Sequence, residues 1–333
     1  MGPHLTSPFR IGDLTVSNRV LLAPLAGIGN WFVRLQARRH GAGLVVSEMV
    51  SSFGLHHRNE RTTRELLRIH PAEHPVSIQL FGHDPEVMRS AARMAAAAGA
   101  DVVDINMGCP VRKVFKVGAG AALIRSPNLA VRLARAAREG FGGPVTVKLR
   151  SGVEPADTSG LDLAVRLVEE AGVAAIALHP RSAVARHNGR PDYDQVRDLA
   201  GRLTGQARVI VSGGMTTAEG ARRAYRESGA DAVMIARGAL GNPWIFEELT
   251  GGRATPPSRA EIVTELLWTM DRAEEHLGPK RAARYARKLY PWYLAQLGVR
   301  GPEADAFQRT ESLEQARGLL ATRNGLAREG APL

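Results

Sequence analysis

Val102-Val103-Asp104-Ile105-Asn106-Met107-Gly108-Cys109-Pro110 is an apolar run that ends in a tight breaker. Val102–Asn106 has the length and β-branched content of a buried strand. Pro110 cannot continue a sheet ladder, so the chain must turn there. Cys109 is the only cysteine in 333 residues. A lone thiol is commonly a small buried hydrophobe. On the loop beyond a strand's C-terminal end, however, it stands where α/β folds keep their chemistry.

Working outward, strands are expected at Arg19–Ala23, Leu44–Ser47, Val76–Leu80, Val102–Asn106, Val145–Lys148, Ala174–Leu178, Arg208–Val211 and Ala232–Ile235. Helical stretches alternate with them: Asn30 to about Arg39, Asp84–Ala98, Pro127 to about Gly140, Ser159–Glu170, Tyr193–Leu203, and one from Thr216 or Thr217 to Ser228. Asp84-Pro85 is an N-cap and N1 pair, and Asn30 is a candidate cap. A further helix is expected around Arg61–Leu67, in the otherwise irregular stretch 51–75. Eight strand–helix units over about 240 residues predict a (β/α)₈ TIM barrel. A doubly wound sheet is the competitor; the barrel is preferred because polar or glycine-rich residues end nearly every strand.

After about Thr250 the pattern changes. Gly251-Gly252 and Pro256-Pro257 mark a linker, and Ser258–Leu277, Lys280–Leu297 and roughly Gln308–Arg328 have helical periodicity. The expected organisation is a barrel over 1–250 followed by a smaller all-helical domain over 251–333.

With one cysteine, no internal disulfide is possible, which fits a reducing compartment. No run approaches the roughly 18 apolar residues of a membrane span, and residues 1–20 lack a secretory apolar core, so a cytoplasmic protein without a membrane partner is expected. The net charge of +11 and pI near 10.5 point to a polyanionic partner such as nucleic acid, or to an Arg-rich surface with no partner.

The strand ends read Pro24-Leu25-Ala26, Gln79, Asn106 with Cys109, Lys148, His179, Ser212-Gly213-Gly214 and Ala236-Arg237-Gly238. On a barrel these form one ring. Loops after the seventh and eighth strands commonly bind phosphate: glycines let backbone N–H groups approach the anion, and Arg237 adds a charge-assisted bond. The alternative is that the glycines only make tight turns. A cation such as Lys148 beside a ring cofactor tunes its electronics, and the Gln79 amide offers donor and acceptor to a pyrimidine edge. Gly118-Ala119-Gly120 is no dinucleotide fingerprint, because Leu123 occupies the third glycine position; Lys113–Gly120 reads as a mobile loop. His56-His57 lacks metal-ligand spacing, and no metal is expected.

Together these stretches resemble the flavin-dependent tRNA-dihydrouridine synthase family, most closely its bacterial B-type branch. The resemblance rests on Ala23-Pro24-Leu25-Ala26-Gly27, Val46-Ser47-Glu48-Met49, Asp104–Pro110, Val147-Lys148-Leu149-Arg150, His179-Pro180-Arg181-Ser182 and Gly241-Asn242-Pro243-Trp244-Ile245-Phe246. It implies FMN in the barrel mouth and NADPH as reductant, with tRNA as substrate and the chain acting as a monomer. Pro24, Leu25, Ala26, Gln79, Lys148, His179, Ser212, Gly213, Gly214, Ala236 and Arg237 match its flavin-site positions, and Cys109 its catalytic cysteine. Ser212 and Gly214 stand where relatives often have Asn and Asp. The implied chemistry is reduction of uridine C5=C6 to 5,6-dihydrouridine, with hydride from flavin N5 to C6 and a proton from Cys109 to C5. As an acid the residue works as a thiol, not as the thiolate a nucleophile needs. Asn106 is a candidate for orienting the base or the cysteine loop, and Arg181 for contacting substrate.

Lys280, Arg281, Arg284, Arg287 and Lys288 fall on one expected helical segment with no acidic residue among them. Residues 281, 284 and 288 share a face, a candidate phosphate track for folded RNA; the plain alternative is a solvated basic face above an aromatic core stripe. A uridine in folded RNA must leave its stack to reach a barrel mouth. Two rival functions remain in view. A small-molecule FMN oxidoreductase resembling dihydroorotate dehydrogenase would act on a free pyrimidine. A non-catalytic RNA-binding barrel would purify colourless.

Overall fold

The computed structural model describes residues 4–60 and 62–323. Strands β1 (Phe9–Ile11) and β2 (Leu14–Val16) form an antiparallel hairpin. They are followed by β3 (Val20–Leu22), β4 (Leu44–Val46), β5 (Val50–Ser51), β6 (Val76–Phe81), β7 (Val102–Met107), β8 (Val145–Arg150), β9 (Ala175–His179), β10 (Arg208–Ser212) and β11 (Ala232–Ile235). Parallel pairing runs β3–β4–β6–β7–β8–β9–β10–β11 and back to β3, which closes an eight-stranded barrel. The two-residue β5 adds only an outer pairing to β6 through Val50 and Leu80.

Strand side chains alternate between the lumen and the helix layer. The lumen's first layers are apolar: Leu21, Ala23, Leu44, Val46, Val102, Ala175, Ala177, Ile210, Ala232 and Met234 cluster together. Phe9, Ile11 and Val16 of the hairpin pack against the strand-start residues and fill that end of the lumen. The same parity, continued toward the C-terminal strand ends, turns polar on neighbouring strands. Register sets Gln79 opposite Asp104, Asp104 opposite Thr146, and Asn106 opposite Lys148. The fold therefore seals one mouth with apolar volume and lines the other with hydrogen-bonding groups.

The expected barrel helices are present, from Trp31–Arg39 to Ala218–Ser228. Asp84 Oδ1 accepts from Val87 N at 3.0 Å and Thr217 Oγ1 from Gly220 N at 3.1 Å, as N-caps do; Asn30 precedes its helix without a side-chain cap bond. Within the barrel, one sequence expectation is refined and another corrected. The stretch near 61–67 is a five-residue π-helix, Thr62–Leu66, Arg61 lying outside the described residues. Lys113–Gly120 is a short helix, Arg112–Lys116, leading into a 3₁₀ turn at Gly120–Arg125, because buried Val114 anchors it. The β1–β2 hairpin was not anticipated.

The chain forms two compact units: the residues up to Gly238 with Ile245–Gly252, and Ala239–Trp244 with the residues from Arg253 on. The second unit contains helices Arg259–Leu277, Pro279–Ala286, Tyr290–Gln296, Pro302–Arg309 and Leu313–Arg323. Its core includes Leu266, Met270, Tyr293, Leu294 and Leu320, and the Tyr290 and Phe307 rings meet edge to face at 5.7 Å. Ser258 and Glu261 form a capping box on its first helix. The helix expected over Lys280–Leu297 is instead two, broken by a turn at Arg287–Leu289. Pro291 has no N–H to offer a carbonyl four residues back, and its ring disfavours helix before it. The last expected helix is likewise two, and residues 324–328 of it lie outside the described residues. Among the described residues no helix is long and apolar enough to cross a membrane.

Candidate active site

The polar mouth of the barrel encloses a cavity of about 590 Å³, within the size range of small-molecule and cofactor sites. Pro24, Leu25 and Ala26 line it from the loop after β3, Gln79 from β6, and Asn106 and Cys109 from the end of β7. Lys148, His179 and Ser212 close it from β8, β9 and β10, with Gly213, Gly214, Ala236 and Arg237 from the loops that follow β10 and β11. The loop after β3 is held by Glu48, whose Oε2 accepts from Gly27 N at 2.8 Å.

Beneath Cys109 runs a buried chain of hydrogen bonds. Thr146 Oγ1 donates to Asp104 Oδ1 at 2.6 Å, and Gln79 Nε2 donates to Asp104 Oδ2 at 2.7 Å. Asn106 Nδ2 donates to Gln79 Oε1 at 2.9 Å, and Asn106 Oδ1 accepts from the Cys109 and Gly108 backbone N–H groups at 2.9 and 3.2 Å. The Cys109 carbonyl accepts from Ala121 N at 3.1 Å. Gly120 (φ +61°) makes that approach possible, since a Cβ there would lie 2.7 Å from the Cys109 oxygen. Arg150 pins the same loop: its Nε donates to Gly108 O at 3.0 Å, and its Nη1 donates to the Ser182 and Arg186 carbonyls.

The cavity wall carries Arg112, Lys148, Arg150, Arg186 and Arg237 and no carboxylate. Lys148 keeps some surface toward the cavity, but its ammonium lies deep. Desolvation, then the Arg150 charge, lowers its pKa to about 8, against the opposing pull of Asp104. Arg150, buried and beside Arg181, falls to about 10 and stays charged at neutral pH. Burial, reinforced by Lys148, Arg150 and Arg181, drives the His179 pKa far down, so the ring is neutral. Arg181 Nη1 lies 3.1 Å from His179 Nε2. A guanidinium only donates, so Nε2 is the acceptor and the ring proton belongs on Nδ1. The His187 ring stacks on His179 at 5.9 Å between centroids.

At the phosphate-type end, Gly213 has φ +103° and Gly214 φ +78°. A Cβ on Gly213 would sit 2.4 Å from the His179 ring, and one on Gly214 2.6 Å from Pro191. Tyr193 Oη donates to Gly213 O at 3.0 Å, which holds the turn open. A turn that leaves no room for a side chain, a cationic wall without a carboxylate, and an amide among the lining groups together fit a phosphorylated ring cofactor.

All eleven positions expected to hold a cofactor line this cavity, as do Asn106 and Cys109. Arg181 is not on the wall; its Nε and Nη2 donate to Gly189 O, anchoring the loop that brings Arg186 and His187 there. Arg150, Arg186, His187 and Met49 were missed. Arg150 had a signal, being two residues beyond Lys148 on one strand face; the other three depend on how loops fold back. Lys280, Arg281 and Arg284 lie on Pro279–Ala286, whereas Arg287 and Lys288 fall in the turn after it. Arg284 and Lys288 are exposed, and Lys288 Nζ sits 5.6 Å from the Tyr285 ring centroid. Arg287 is committed to packing: its Nε and Nη2 donate to Thr310 O.

The dihydrouridine synthase family model matches residues 21–323. The chain is 37% identical over 295 residues to tRNA-dihydrouridine synthase B of Pseudomonas putida, covering 87% of this chain and 86% of that protein. It is 36% identical over 330 residues to tRNA-dihydrouridine synthase B of Yersinia pestis, covering 96% and 100%. Among solved structures, morphinone reductase superposes with a TM-score of 0.57 at 17% identity, over 79% of this chain and 93% of that one. A histamine dehydrogenase from Rhizobium does so with a TM-score of 0.55 at 12% identity, over 75% and 48%. At such identities the structural likeness concerns the fold alone.

Proposed function

Since this chain belongs to the dihydrouridine synthase family, we propose that it reduces the C5=C6 bond of uridine in tRNA to 5,6-dihydrouridine, using FMN in the barrel mouth and NADPH as reductant. The observation that carries the reading is the placement of Cys109, the one cysteine of the chain, on the wall of a cationic cavity whose glycine cradle fits a phosphate.

Bound FMN, once reduced, would supply a hydride to uracil C6. The chain's own residues do the rest. Gly213, Gly214 and Arg237 bind the phosphate through backbone N–H groups and a guanidinium. Lys148 places positive charge on the cavity wall, where an anionic ring would be stabilised. Neutral His179 offers Nδ1–H as a donor that carries no charge. Negative charge would then develop toward uracil C5 and O4, where a proton is needed. The Cys109 thiol holds the proton that C5 then takes. Asn106 and Arg150 keep the cysteine loop at the cavity edge. The basic residues Lys280, Arg281, Arg284 and Lys288 contribute phosphate contacts to tRNA.

The test is rapid mixing of pre-reduced Cys109→Ala with unmodified tRNA. NADPH should still bleach the flavin, since that reaction needs no thiol, while reoxidation by tRNA should slow about 10²–10⁴-fold. Reoxidation at the wild-type rate would remove Cys109 from the chemistry.

A further inference from the structure

Asp104, Gln79, Asn106 and Thr146 are all buried, and their hydrogen bonds form one continuous path from a carboxylate to the Cys109 backbone. The two ends of that path have fixed chemistry. An ionised carboxylate only accepts, and a backbone N–H only donates. Between them stand two amides, each of which reads either way round. Gln79 gives its NH₂ to Asp104, so its oxygen must face Asn106. Asn106 then gives its NH₂ to Gln79, and its oxygen must face Gly108 and Cys109. If either amide turned over, two donors or two acceptors would meet in a buried place, each an unsatisfied group worth about 1–3 kcal/mol.

We infer that Asp104 is a positioning residue for the reaction: it fixes the orientation of the Gln79 and Asn106 amides and thereby holds the Cys109 loop at the cavity. This deepens the proposed function and rests on its assignment of Cys109. Asp104 itself faces the barrel's interior layer and is absent from the cavity wall, so it reaches the Cys109 loop through the two amides, apart from the charge it sets against Lys148. Those amides do line the cavity. Gln79 is fully buried, and its NH₂ keeps one hydrogen that Asp104 does not take. Burial raises the Asp104 pKa against the opposing Thr146 and Gln79 hydrogen bonds and the Lys148 charge; a proton on Oδ1 would face the Thr146 hydroxyl, so Oδ2 accepts from Gln79 in either state.

The structure contains its own reporter, because Cys109 is the only thiol to alkylate. Asp104→Leu and Asp104→Ala both delete the acceptor, one with added volume and one without, so a packing failure in the first leaves the second to be read. In each, hydrogen exchange at Gly108 and Cys109 should speed about 10–100-fold, the worth of a lost buried hydrogen bond, and iodoacetamide should label Cys109 several-fold faster. Exchange in β11, on another part of the barrel, should be unchanged. Asp104→Asn should keep wild-type protection, since its oxygen can accept from Gln79 while its NH₂ donates to Thr146 Oγ1, a hydroxyl that works in both directions. Wild-type exchange and labelling in the Leu and Ala variants would overturn the assignment. So would an Asn variant as loose as Ala, because the effect would then come from charge and not from amide polarity. These readouts need no turnover. Failure of the proposed activity shows separately, as absence of dihydrouridine formation by the wild-type enzyme.

Discussion

Lys148→Met, measured in FMN-free protein, separates the cost of the site from its benefit. The ammonium is held at a pKa of about 8 against an ordinary 10.5. At about 1.4 kcal/mol per tenfold change in proton affinity, keeping it charged inside the barrel works against folding by up to about 3 kcal/mol, less whatever the water in the cavity screens. The sign follows from proton counts. Between about pH 8 and 10.5 the unfolded chain holds this proton and the folded chain does not, so stability rises with pH across that window. Below pH 8 both states hold it and the whole penalty is present. Methionine has similar length and no charge to desolvate, and replacing a buried charge by a packed apolar group is often stabilising. Urea unfolding at pH 7 should therefore find Lys148→Met more stable than wild type by about 1–3 kcal/mol, with the gap closing as pH is raised toward 10.5. The same variant should bind FMN more weakly. A variant less stable than wild type at pH 7, or a gap that does not change with pH, would refute the account of Lys148 as a desolvated cation kept for its ligand.

Two further outcomes are expected. Arg237→Ala removes a charge-assisted hydrogen bond to phosphate, worth about 1.5–3 kcal/mol, and should weaken FMN retention about 10–100-fold in a fluorescence titration while leaving riboflavin binding little changed; equal losses for both ligands would move the phosphate away from Arg237. Reversing exposed Arg284 and Lys288 to Glu should weaken tRNA binding and flatten its dependence on log salt by about 2, with flavin reduction by NADPH untouched; an unchanged slope would return these residues to a solvated face.

The barrel was legible because its code is local. Each apolar run at 76–80, 102–106 or 232–235 is too short for a helix and ends in polar, glycine or proline residues, and eight such units leave few topologies. The three-residue strands of the β1–β2 hairpin carry too little alternation to be seen; they exist because the open lumen beside Leu44 and Val102 needs apolar volume. The break at Arg287–Leu289 was overlooked because periodicity outweighed Pro291, and with it went the idea of five basic residues on one helix. Arg287 left the candidate phosphate track because the Thr310 carbonyl claims it.

The sequence by itself determined which side chains stand at the strand ends. Strand parity and the turn residues after each strand are properties of neighbours along the chain, and they suffice to gather Gln79, Asn106, Lys148 and His179 into one ring. Only the tertiary structure decided what state those groups are in. The lowered pKa of Lys148 and the neutral His179 come from burial and the charges gathered around them, and the orientation of the Gln79 and Asn106 amides from partners on neighbouring strands 25 and 27 residues away. Desolvation and hydrogen-bond polarity belong to the volume around a group, and a linear pattern does not specify that volume.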